Sequence, residues 1–554
     1  MVPLVASRRA TPAVQAGIAA GLAALLTAGM LWRGPAGADL AAHVYQRSLY
    51  LQHGLSLWNN FWYAGRYSFI TYSVLYYPLA AGLHINPLTV LTVGASAGAF
   101  TLVLERQFGR SARWSAWSFV LMWPVGVVVS GVFPFALGMA LTLCALVALQ
   151  RRRVPWFAAL AGASLLASPL AFLILMLPLA SVAIAQRTNW RRWTAPVLVI
   201  VTIGLYELVV WRLFPDGGRY PFWGDDFTGT LVFCLVGIVL SWRVDRASSL
   251  RWLFVVYGAV AIGAFLVSSD LGSNIARLRL AAIPLGLLVL PMRRWKPWPI
   301  CVAALGLAVY WNVAPIATTY ANTASDPSGS ATFWQPAVGW FHEHLSPDYR
   351  VEAVDTVSHW PAVFLPRAGI PLARGWFRQD DFPQNLVLYQ SPLTPDAYLS
   401  WLRTMGVGYV VASDAPPDFS AVNEAALLAG GQSGLPRVFS QGHVSIYAVP
   451  NPSPMVTGLF PARVLTITES QVVLAVSQPA SYRVAVRYSP YWRSPNACVE
   501  PAPDGMTNIV AESPGIVPLT FRINAGAAMK ALTGQPPHWC GGEDTSVLSA
   551  GRPG

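Results

Sequence analysis

The residues most able to carry chemistry lie in one short segment, G37-A-D-L-A-A-H-V-Y-Q-R-S-L-Y-L-Q-H-G54. The segment ends in glycine and predicts an outer juxtamembrane helix over 38–53. At about 100° per residue, one face of this helix carries Asp39, His43, Gln46, Tyr50 and His53. A carboxylate backed by a histidine is suited to take a proton from a hydroxyl group. Asp39 could equally cap the helix amino terminus, and the two roles are compatible.

A second group with chemical potential is a pair of arginines in D270-L-G-S-N-I-A-R-L-R279. A guanidinium at a membrane boundary costs free energy unless it reaches water or meets an anion, and its geometry suits a phosphate. Arg277 and Arg279 are therefore candidate phosphate ligands. A lipid head group or Asp270 could satisfy them as well.

A third group is the aromatic and amide-rich run L57-W-N-N-F-W-Y-A-G-R-Y67. Flat rings bind the C–H faces of sugars, and amide groups bind hydroxyls, so this composition is typical of a sugar site. It is also typical of the aromatic belt at a membrane interface. The candidate substrate-binding residues of this run are Trp58, Asn59, Trp62, Tyr63, Arg66 and Tyr67, to which we add His53 and Asp270.

The elements that must position these residues are membrane helices. Of the 554 residues, 54% are hydrophobic and 11% are charged, whereas soluble domains carry about 25% charged residues. Apolar runs between 13 and 315 predict about eleven spans. The predicted fold class is an α-helical polytopic membrane protein with an extracytoplasmic α/β plus β-sandwich C-terminal region. The first run, at 13–32, is longer than the apolar part of a signal peptide, and we expect it to remain as a membrane helix.

The distribution of charge predicts the orientation of the spans. Residues 1–315 hold 24 Lys and Arg, of which 17 fall in alternate loops if the amino terminus is cytoplasmic. The sequence therefore predicts a multi-pass protein of the plasma (inner) membrane, with a cytoplasmic N-terminus and an extracytoplasmic C-terminal domain. The basic residues form no continuous stripe, so the net charge of +12 does not indicate a nucleic-acid partner.

The region after the last span predicts two folded parts. The expected domains are a transmembrane domain over 1–317, a polar linker over 318–332, an α/β domain over 333–450 and a β-sandwich over 451–554. Cys498 and Cys540 lie in this region and can form a disulfide in an oxidising compartment, although two free thiols are the alternative. His342 and His344 face different directions on a predicted helix, so we predict no metal site there.

The G-A-D-L-A-A-H and G-L-S-L-W-N-N-F-W-Y-A-G motifs, the many spans and the large C-terminal region resemble membrane glycosyltransferases of the GT-C superfamily. The motif-level similarity lies in 37–80 and near 270–284. It is strongest to the bacterial pyruvoyl-tetrahydropterin-synthase-related membrane proteins, a label that need not describe their chemistry.

This resemblance implies transfer of a sugar from a polyprenyl-phosphate donor in the bilayer to an extracytoplasmic envelope glycan or lipid acceptor. Asp39 would be the general base, assisted by His43, and Arg277 and Arg279 would hold the donor phosphate. Many relatives have two adjacent acids in the first outer loop, whereas Asp39 stands between Ala38 and Leu40. A lone base with a lipid-phosphate leaving group is chemically sufficient, so we expect no cofactor and no metal, although the sequence does not exclude a divalent cation.

Two other functions are compatible with the same features. A transporter or flippase of a lipid-linked glycan would use the aromatic and basic residues without a catalytic acid. An internal repeat would favour it, and we find none in the sequence. A scaffold of envelope assembly that has lost the chemistry would keep the fold alone.

Overall fold

The computed structural model describes residues 11–186, 193–215, 218–534 and 540. The chain forms two compact units. The first comprises Met1–Gly54, Tyr72–Leu208 and Gly217–Asp326, and the second comprises Leu55–Thr71, Val209–Asp216 and Pro327–Gly554.

The first unit is helical. Its helices are α1 (Pro12–Arg33), α2 (Leu40–His53), α3 (Tyr76–Leu83), α4 (Ile85–Phe108), α5 (Arg113–Ser130), α6 (Phe133–Gln150), α7 (Val154–Ala167), α8 (Pro169–Ala185), α9 (Thr194–Leu213), α10 (Gly224–Ser241), α11 (Ser248–Leu266), α12 (Ala282–Met292) and α13 (Trp298–Ala324). The last residues of α9 cluster with the second unit. A 3-10 helix, Gly272–Ala281, leads directly into α12.

Helices occur at all eleven positions where the sequence predicts a span. In the described part of the chain, eight helical segments are long and apolar enough to cross a membrane. The protein is thus an α-helical polytopic membrane protein, while the predicted count of eleven spans is not confirmed. The predicted outer helix over 38–53 corresponds to α2.

Small residues allow α1 and α4 to pack closely. A Cβ atom at Gly94 would lie 3.0 Å from the carbonyl oxygen of Ala20, and one at Gly98 would lie 3.2 Å from that of Ala16. Two glycines four positions apart share one helix face, and such a face brings two membrane helices into close van der Waals contact.

The second unit combines an α/β part with a β-sandwich. Its elements are β1 (Trp58–Asn59), β2 (Arg66–Tyr67), α14 (Ala331–His344), β3 (Arg350–Ala353), α15 (Pro361–Arg367), α16 (Pro395–Thr404), β4 (Val407–Ser413), α17 (Val422–Ala429), β5 (Arg437–Gln441), β6 (Val444–Ala448), β7 (Val456–Gly458), β8 (Ala462–Ile467), β9 (Gln471–Val476), β10 (Ser481–Arg487), β11 (Trp492–Arg493), β12 (Ala497–Pro501), β13 (Met506–Ala511), β14 (Gly515–Phe521) and α18 (Ala525–Thr533).

The strands form three four-stranded sheets in the orders β3-β4-β6-β5, β12-β13-β10-β7 and β11-β14-β9-β8. The first sheet pairs β3 and β4 in parallel and its other strands antiparallel. The other two are antiparallel and enclose a core that includes Val472, Leu474, Val484 and Leu519. Residues of β9 alternate between half-buried and buried positions, as the period-two pattern predicts.

Two boundaries differ from the sequence-based expectation. The segment predicted as a linker, 318–332, is mostly helical, because α13 continues to Ala324 and α14 begins at Ala331. No glycine or proline interrupts the chain between Pro315 and Pro327, so the polar residues of this stretch extend the helix. The segment Leu55–Thr71, expected in the transmembrane domain, belongs to the second unit.

Candidate active site

The start of α2 is held against the end of α5 by backbone contacts. The Ala38 and Asp39 N–H groups donate to the carbonyl oxygens of Val129 and Ser130, each at 3.0 Å. Gly131 follows α5 with a φ of 72°, and a Cβ atom there would lie 2.8 Å from the Asp39 nitrogen. A glycine at this position therefore permits the close approach that places Asp39.

Asp39 occupies the N-cap position of α2, but its side chain makes no capping hydrogen bond to the helix. The carboxylate is half-buried and lines a large cavity within the first unit. The side-chain capping role that the sequence left open is therefore not seen, and the chemical role of Asp39 stays a prediction.

The cavity has a volume of about 1490 Å³ and is lined mainly by apolar residues of α4, α5, α6, α8 and α12. Pockets for small ligands usually have volumes of about 300–1,000 Å³, so this cavity has room for a longer apolar molecule. Polar groups occur at its two ends. One end, the Asp39 mouth, includes Asp39 and Arg277, and the other, the Arg151 mouth, includes Arg106, Arg151, Arg152 and Arg153.

Arg277 and Tyr72 complete the polar part of the Asp39 mouth. The Arg277 guanidinium lies 5.3 Å from the centre of the Phe135 ring, which also lines the cavity. Burial raises the pKa of the Tyr72 phenol, and the nearby Asp39 carboxylate adds to this increase, whereas Arg277 opposes it. The phenol therefore remains a neutral hydrogen-bond donor close to the Asp39 carboxylate and the Arg277 guanidinium.

Tyr72 is a site residue that sequence reasoning missed. It lies in F69-I-T-Y-S-V-L-Y-Y-P78, which contains four aromatic residues, and no helical spacing connects any of them to Asp39. The loop between β2 and α3 brings it to the site, and a loop path cannot be read from periodicity.

His43 has a different environment from the one expected. It is fully buried, its Nδ1 lies 3.2 Å from the Tyr77 hydroxyl, and its ring packs near Phe133. Burial lowers the pKa of His43 to about 3, although a hydrogen bond to the Gly131 backbone opposes this shift. A neutral, weakly basic imidazole that connects α2 to the end of α5 fits a positioning role. The expected catalytic role of His43 stays a prediction, and its burial is compatible with a positioning role instead.

Arg279 does not share the surroundings of Arg277. Its Nη2 lies 2.5 Å from Oδ1 of Asp226 on α10, and its backbone carbonyl accepts a hydrogen bond from Asn312 at 2.8 Å. In the structure Arg279, which the sequence indicated as a phosphate ligand, is thus paired with the carboxylate of Asp226. Of the other predicted ligands in this unit, Asp270 and His53 are both exposed.

The aromatic run after α2 forms part of the interior of the second unit. Trp58 is stacked on Phe521 with 5.1 Å between ring centres, and Tyr67 belongs to the same β-sandwich core. Asn59 is buried, and its side-chain oxygen accepts the Phe61 N–H at 3.0 Å. These three residues are therefore packing and turn-forming residues in the structure.

The remaining residues of the run are also buried within the second unit. Trp62 donates to the Ala362 carbonyl oxygen at 2.9 Å, and Tyr63 donates to that of Gly375 at 3.0 Å. Arg66 contacts Asp380 at 2.6 Å. The structure therefore does not place the run in an open sugar site. Rings and amides are equally suited to a folded core, which is why composition alone suggested a binding role.

A buried ionic cluster lies elsewhere in the second unit. Ligand-type atoms of Asp355, His359 and Asp418 lie within 4.8 Å of one another, a spacing suitable for a metal ion. However, Arg378 contacts both Asp355 and Asp418. Burial alone would raise the pKa of Asp418, but Arg378 and His359 lower it. The guanidinium thus supplies the positive charge that a metal ion would supply.

The fold is that of a polytopic membrane protein with a β-rich C-terminal region, and the candidate site lies at one end of its cavity. No family model and no curated protein matches the sequence.

Among solved structures, the chain is similar to the arabinofuranosyltransferase AftD from Mycobacteria, with 15% identity and a TM-score of 0.44 over 86% of this chain and 41% of that chain. It is similar to class 2 of the R1389S mutant of AftD with 16% identity and a TM-score of 0.46, over 86% of this chain and 43% of that chain. The chain therefore spans less than half the length of these structures. Because both TM-scores are below 0.5, the function proposed below rests on the site and the sequence.

Proposed function

We propose that the protein is a membrane glycosyltransferase of the GT-C type that moves a sugar from a polyprenyl-phosphate donor to an envelope glycan or lipid acceptor. One observation carries the proposal: Asp39 and Arg277 line one end of a cavity whose walls are apolar, and both lie close enough to Tyr72 to influence the pKa of its phenol. A lipid chain fits such walls, and its phosphate requires a cationic group at the end. The sequence motifs over 37–80 support the same assignment.

In the proposed reaction, the acceptor hydroxyl attacks the anomeric carbon of the donor sugar. The Asp39 carboxylate takes the hydroxyl proton as the glycosidic bond forms. The bond between the anomeric carbon and the phosphate oxygen breaks, and the electron pair leaves with the polyprenyl phosphate. Arg277, with the Tyr72 hydroxyl as a second donor, stabilises the charge that develops on this phosphate. A single displacement of this kind inverts the anomeric configuration.

The proposal includes a location and an orientation. The Asp39 mouth faces the outside of the plasma (inner) membrane, and the Arg151 mouth faces the cytoplasm, following the distribution of basic residues. The β-rich region binds the acceptor glycan or a protein partner. We expect the reaction to need no metal, because Arg277 would hold the leaving phosphate.

The test uses membranes that contain the full-length protein, radiolabelled polyprenyl-phosphate sugars and a panel of envelope glycan acceptors. We expect Asp39→Asn to lower the transfer rate by about 10²-fold to 10⁴-fold, the usual contribution of a general base. Arg277→Gln and Tyr72→Phe remove donors to the leaving phosphate and are expected to lower it by about 10²-fold.

Each variant has a matched control outside the cavity lining. Asp225→Asn, Arg219→Gln and Tyr310→Phe change the same side-chain types at exposed positions and should retain the wild-type rate. Transfer that survives Asp39→Asn would remove Asp39 from the mechanism. A product that keeps the donor's anomeric configuration would contradict the single displacement.

One alternative function also has a structural observation in its favour. The cavity extends to arginines at both ends, which is compatible with movement of a lipid-linked glycan between membrane leaflets. If no donor gives transfer while a fluorescent lipid-linked glycan changes leaflet in proteoliposomes, the flippase assignment replaces the enzyme assignment. If neither activity is found, the result favours the third function, a scaffold of envelope assembly.

A further inference from the structure

The Arg151 mouth lies at the end of the cavity that the proposed reaction does not use. Four arginines meet there, from the last turn of α4 and from the turn between α6 and α7: Arg106, Arg151, Arg152 and Arg153. All four are exposed, and in the described ranges none of them forms an ion pair. The four guanidinium groups therefore present a total charge of +4 to an anion at the Arg151 mouth.

This mouth is continuous with the apolar interior of the cavity. Leu143, Leu146 and Leu149 of α6 line the cavity on the way from the Asp39 mouth to Arg151. Helix α6 has 18 residues, so the two mouths are separated by about 27 Å at 1.5 Å per residue. The cavity is thus nearly as long as the hydrocarbon region of a membrane is thick, which is about 30 Å.

The start of α7 adds to the attraction for an anion. Helix α7 begins at Val154, which lines the cavity, and Arg153 at its N-cap makes no side-chain capping hydrogen bond. Pro155 is the second residue of α7 and has no N–H group, so Val154 and Trp156 present the first N–H groups without a partner within the helix, and these favour a negative charge. A phosphate group at this position would meet both the arginines and the helix terminus.

We propose that the Arg151 mouth is a binding site for the phosphate head group of an anionic membrane lipid, whose hydrocarbon chain lies in the cavity. Charge complementarity identifies the head group, and the apolar walls between the mouths identify the chain. In the orientation given above, this lipid enters from the cytoplasmic leaflet. The inference does not rest on the proposed enzymatic function, because the head-group site lies at the opposite end of the cavity from Asp39, although both lipids would use the same apolar walls.

The experiment measures lipid binding to the purified full-length protein in a neutral detergent. Native mass spectrometry follows titration with dioleoyl-phosphatidylglycerol or with dioleoyl-phosphatidylcholine, which has the same chains and no net charge. We expect the wild-type protein to bind phosphatidylglycerol at least tenfold more tightly. An arginine near an anionic lipid contributes about fivefold in affinity, so the triple variant R151Q/R152Q/R153Q should reduce this preference to less than twofold.

Two further variants distinguish a specific site from general attraction of anionic lipids. R243Q/R246Q/R251Q removes the same charge from arginines that do not line this cavity and should keep the preference. Leu146→Trp leaves all the arginines in place but fills part of the cavity, and it should weaken binding of phosphatidylglycerol at least fivefold. Both proteins must elute on gel filtration as a single species at the same volume as the wild-type protein.

The proposal is overturned if R151Q/R152Q/R153Q keeps the preference, or if the R243Q/R246Q/R251Q control loses it equally. Unchanged binding to Leu146→Trp contradicts entry of the chain into the cavity. Competition with inorganic phosphate identifies the source of the anion. If millimolar phosphate displaces the lipid completely and binds with the same dependence on the arginines, the ligand is free phosphate and the lipid assignment is wrong.

Discussion

Arg277 and Arg279 lie two residues apart in one 3-10 helix, yet only Arg277 lines the cavity. With three residues per turn, side chains two positions apart are separated by about 120° around the axis. Arg279 consequently contacts Asp226 on α10. The sequence indicated both arginines as phosphate ligands, because it showed their number and position but not the partner that each side chain meets. A single guanidinium with a tyrosine hydroxyl beside it is a more limited phosphate site than the pair expected.

The buried imidazole of His43 predicts a specific dependence of stability on pH. Its pKa is lowered to about 3 in the folded protein, against 6.5 for an unperturbed histidine. Below pH 6.5 the unfolded chain therefore binds a proton that the folded chain does not, and stability falls as the pH falls. Between neutral pH and pH 5, His43 should cost about 2 kcal/mol of unfolding free energy.

The measurement for this prediction is the unfolding free energy in detergent between pH 7 and pH 5. His43→Gln removes the titrating group, and the decline with acidification should become shallower by about the amount given above. His53→Gln changes an exposed histidine of the same helix and should show the wild-type decline. Equal slopes in all three proteins would show that His43 is protonated in the folded state or accessible to water.

The helical wheel predicted that Asp39 and His43 share a face of α2, but not what that face contacts. Tertiary packing buries His43 between α2, α3 and α6, while Asp39 lies at the cavity. In the same way, the composition of the run from Trp58 to Tyr67 could not distinguish a sugar site from a protein core. Both offer rings and amides, and only the three-dimensional partners of these side chains separate the two cases.

At the scale of elements, the junction between α5 and α2 is the feature that places the proposed base. Gly131→Ala should disturb it, because an alanine with a φ of 72° is strained and its Cβ would lie 2.8 Å from the Asp39 nitrogen. We expect a loss of about 1–2 kcal/mol in stability from the backbone conformation. The sugar-transfer rate should fall by more than tenfold, because Asp39 moves.

Gly162→Ala is the matched control for this substitution. Gly162 lies inside α7, and a Cβ atom there would have no neighbour within 4 Å. Alanine is favoured over glycine in a helix interior by about 0.5–1 kcal/mol, so stability should rise slightly and the transfer rate should not change. A wild-type transfer rate in a stable Gly131→Ala protein would mean that this junction does not determine the position of Asp39.

Hydrophobic periodicity predicted where helices and strands occur more accurately than it predicted the residues at which they end. The strands predicted at 350–354, 463–467 and 471–476 correspond to β3, β8 and β9. Burial alternates along β9, as expected for a strand with one buried face, whereas all four residues of β3 are buried. Helix α13 extends beyond its apolar part, since a helix ends at a breaker or a cap and not where its residues become polar.

At the scale of the whole molecule, neither of the two units is formed by one continuous stretch of the sequence. Leu55–Thr71 lies between helices of the first unit in sequence and belongs to the second unit, where Trp58 and Tyr67 join the sandwich core. Hydropathy does not predict which unit this segment joins, because its pattern of apolar and polar residues is compatible with either unit. The second unit therefore requires a segment encoded some 270 residues before its main part, and we do not expect a fragment over 327–554 alone to complete that core.

The disulfide between Cys498 and Cys540 predicts the location of the second unit. The bond joins residues 42 positions apart, and closing a loop of this length stabilises a fold by about 4 kcal/mol in the chain-entropy model. Disulfides persist in oxidising compartments, so the bond should be intact in a protein whose C-terminal region is extracytoplasmic. The other cysteines of the described chain, Cys144, Cys234 and Cys301, lie in apolar helices and should resist aqueous reagents.

The measurement treats intact spheroplasts with a membrane-impermeant phosphine reductant and then with an impermeant maleimide attached to polyethylene glycol. The full-length protein should gain two labels after reduction and none without it. The C498S/C540S variant should gain none in either condition, which shows that the labels report this pair. Labelling without reductant, and only after the membrane is permeabilised, would place the second unit in the cytoplasm. That result would reverse the orientation inferred from the basic loops and would place Asp39 on the side opposite to any extracytoplasmic acceptor.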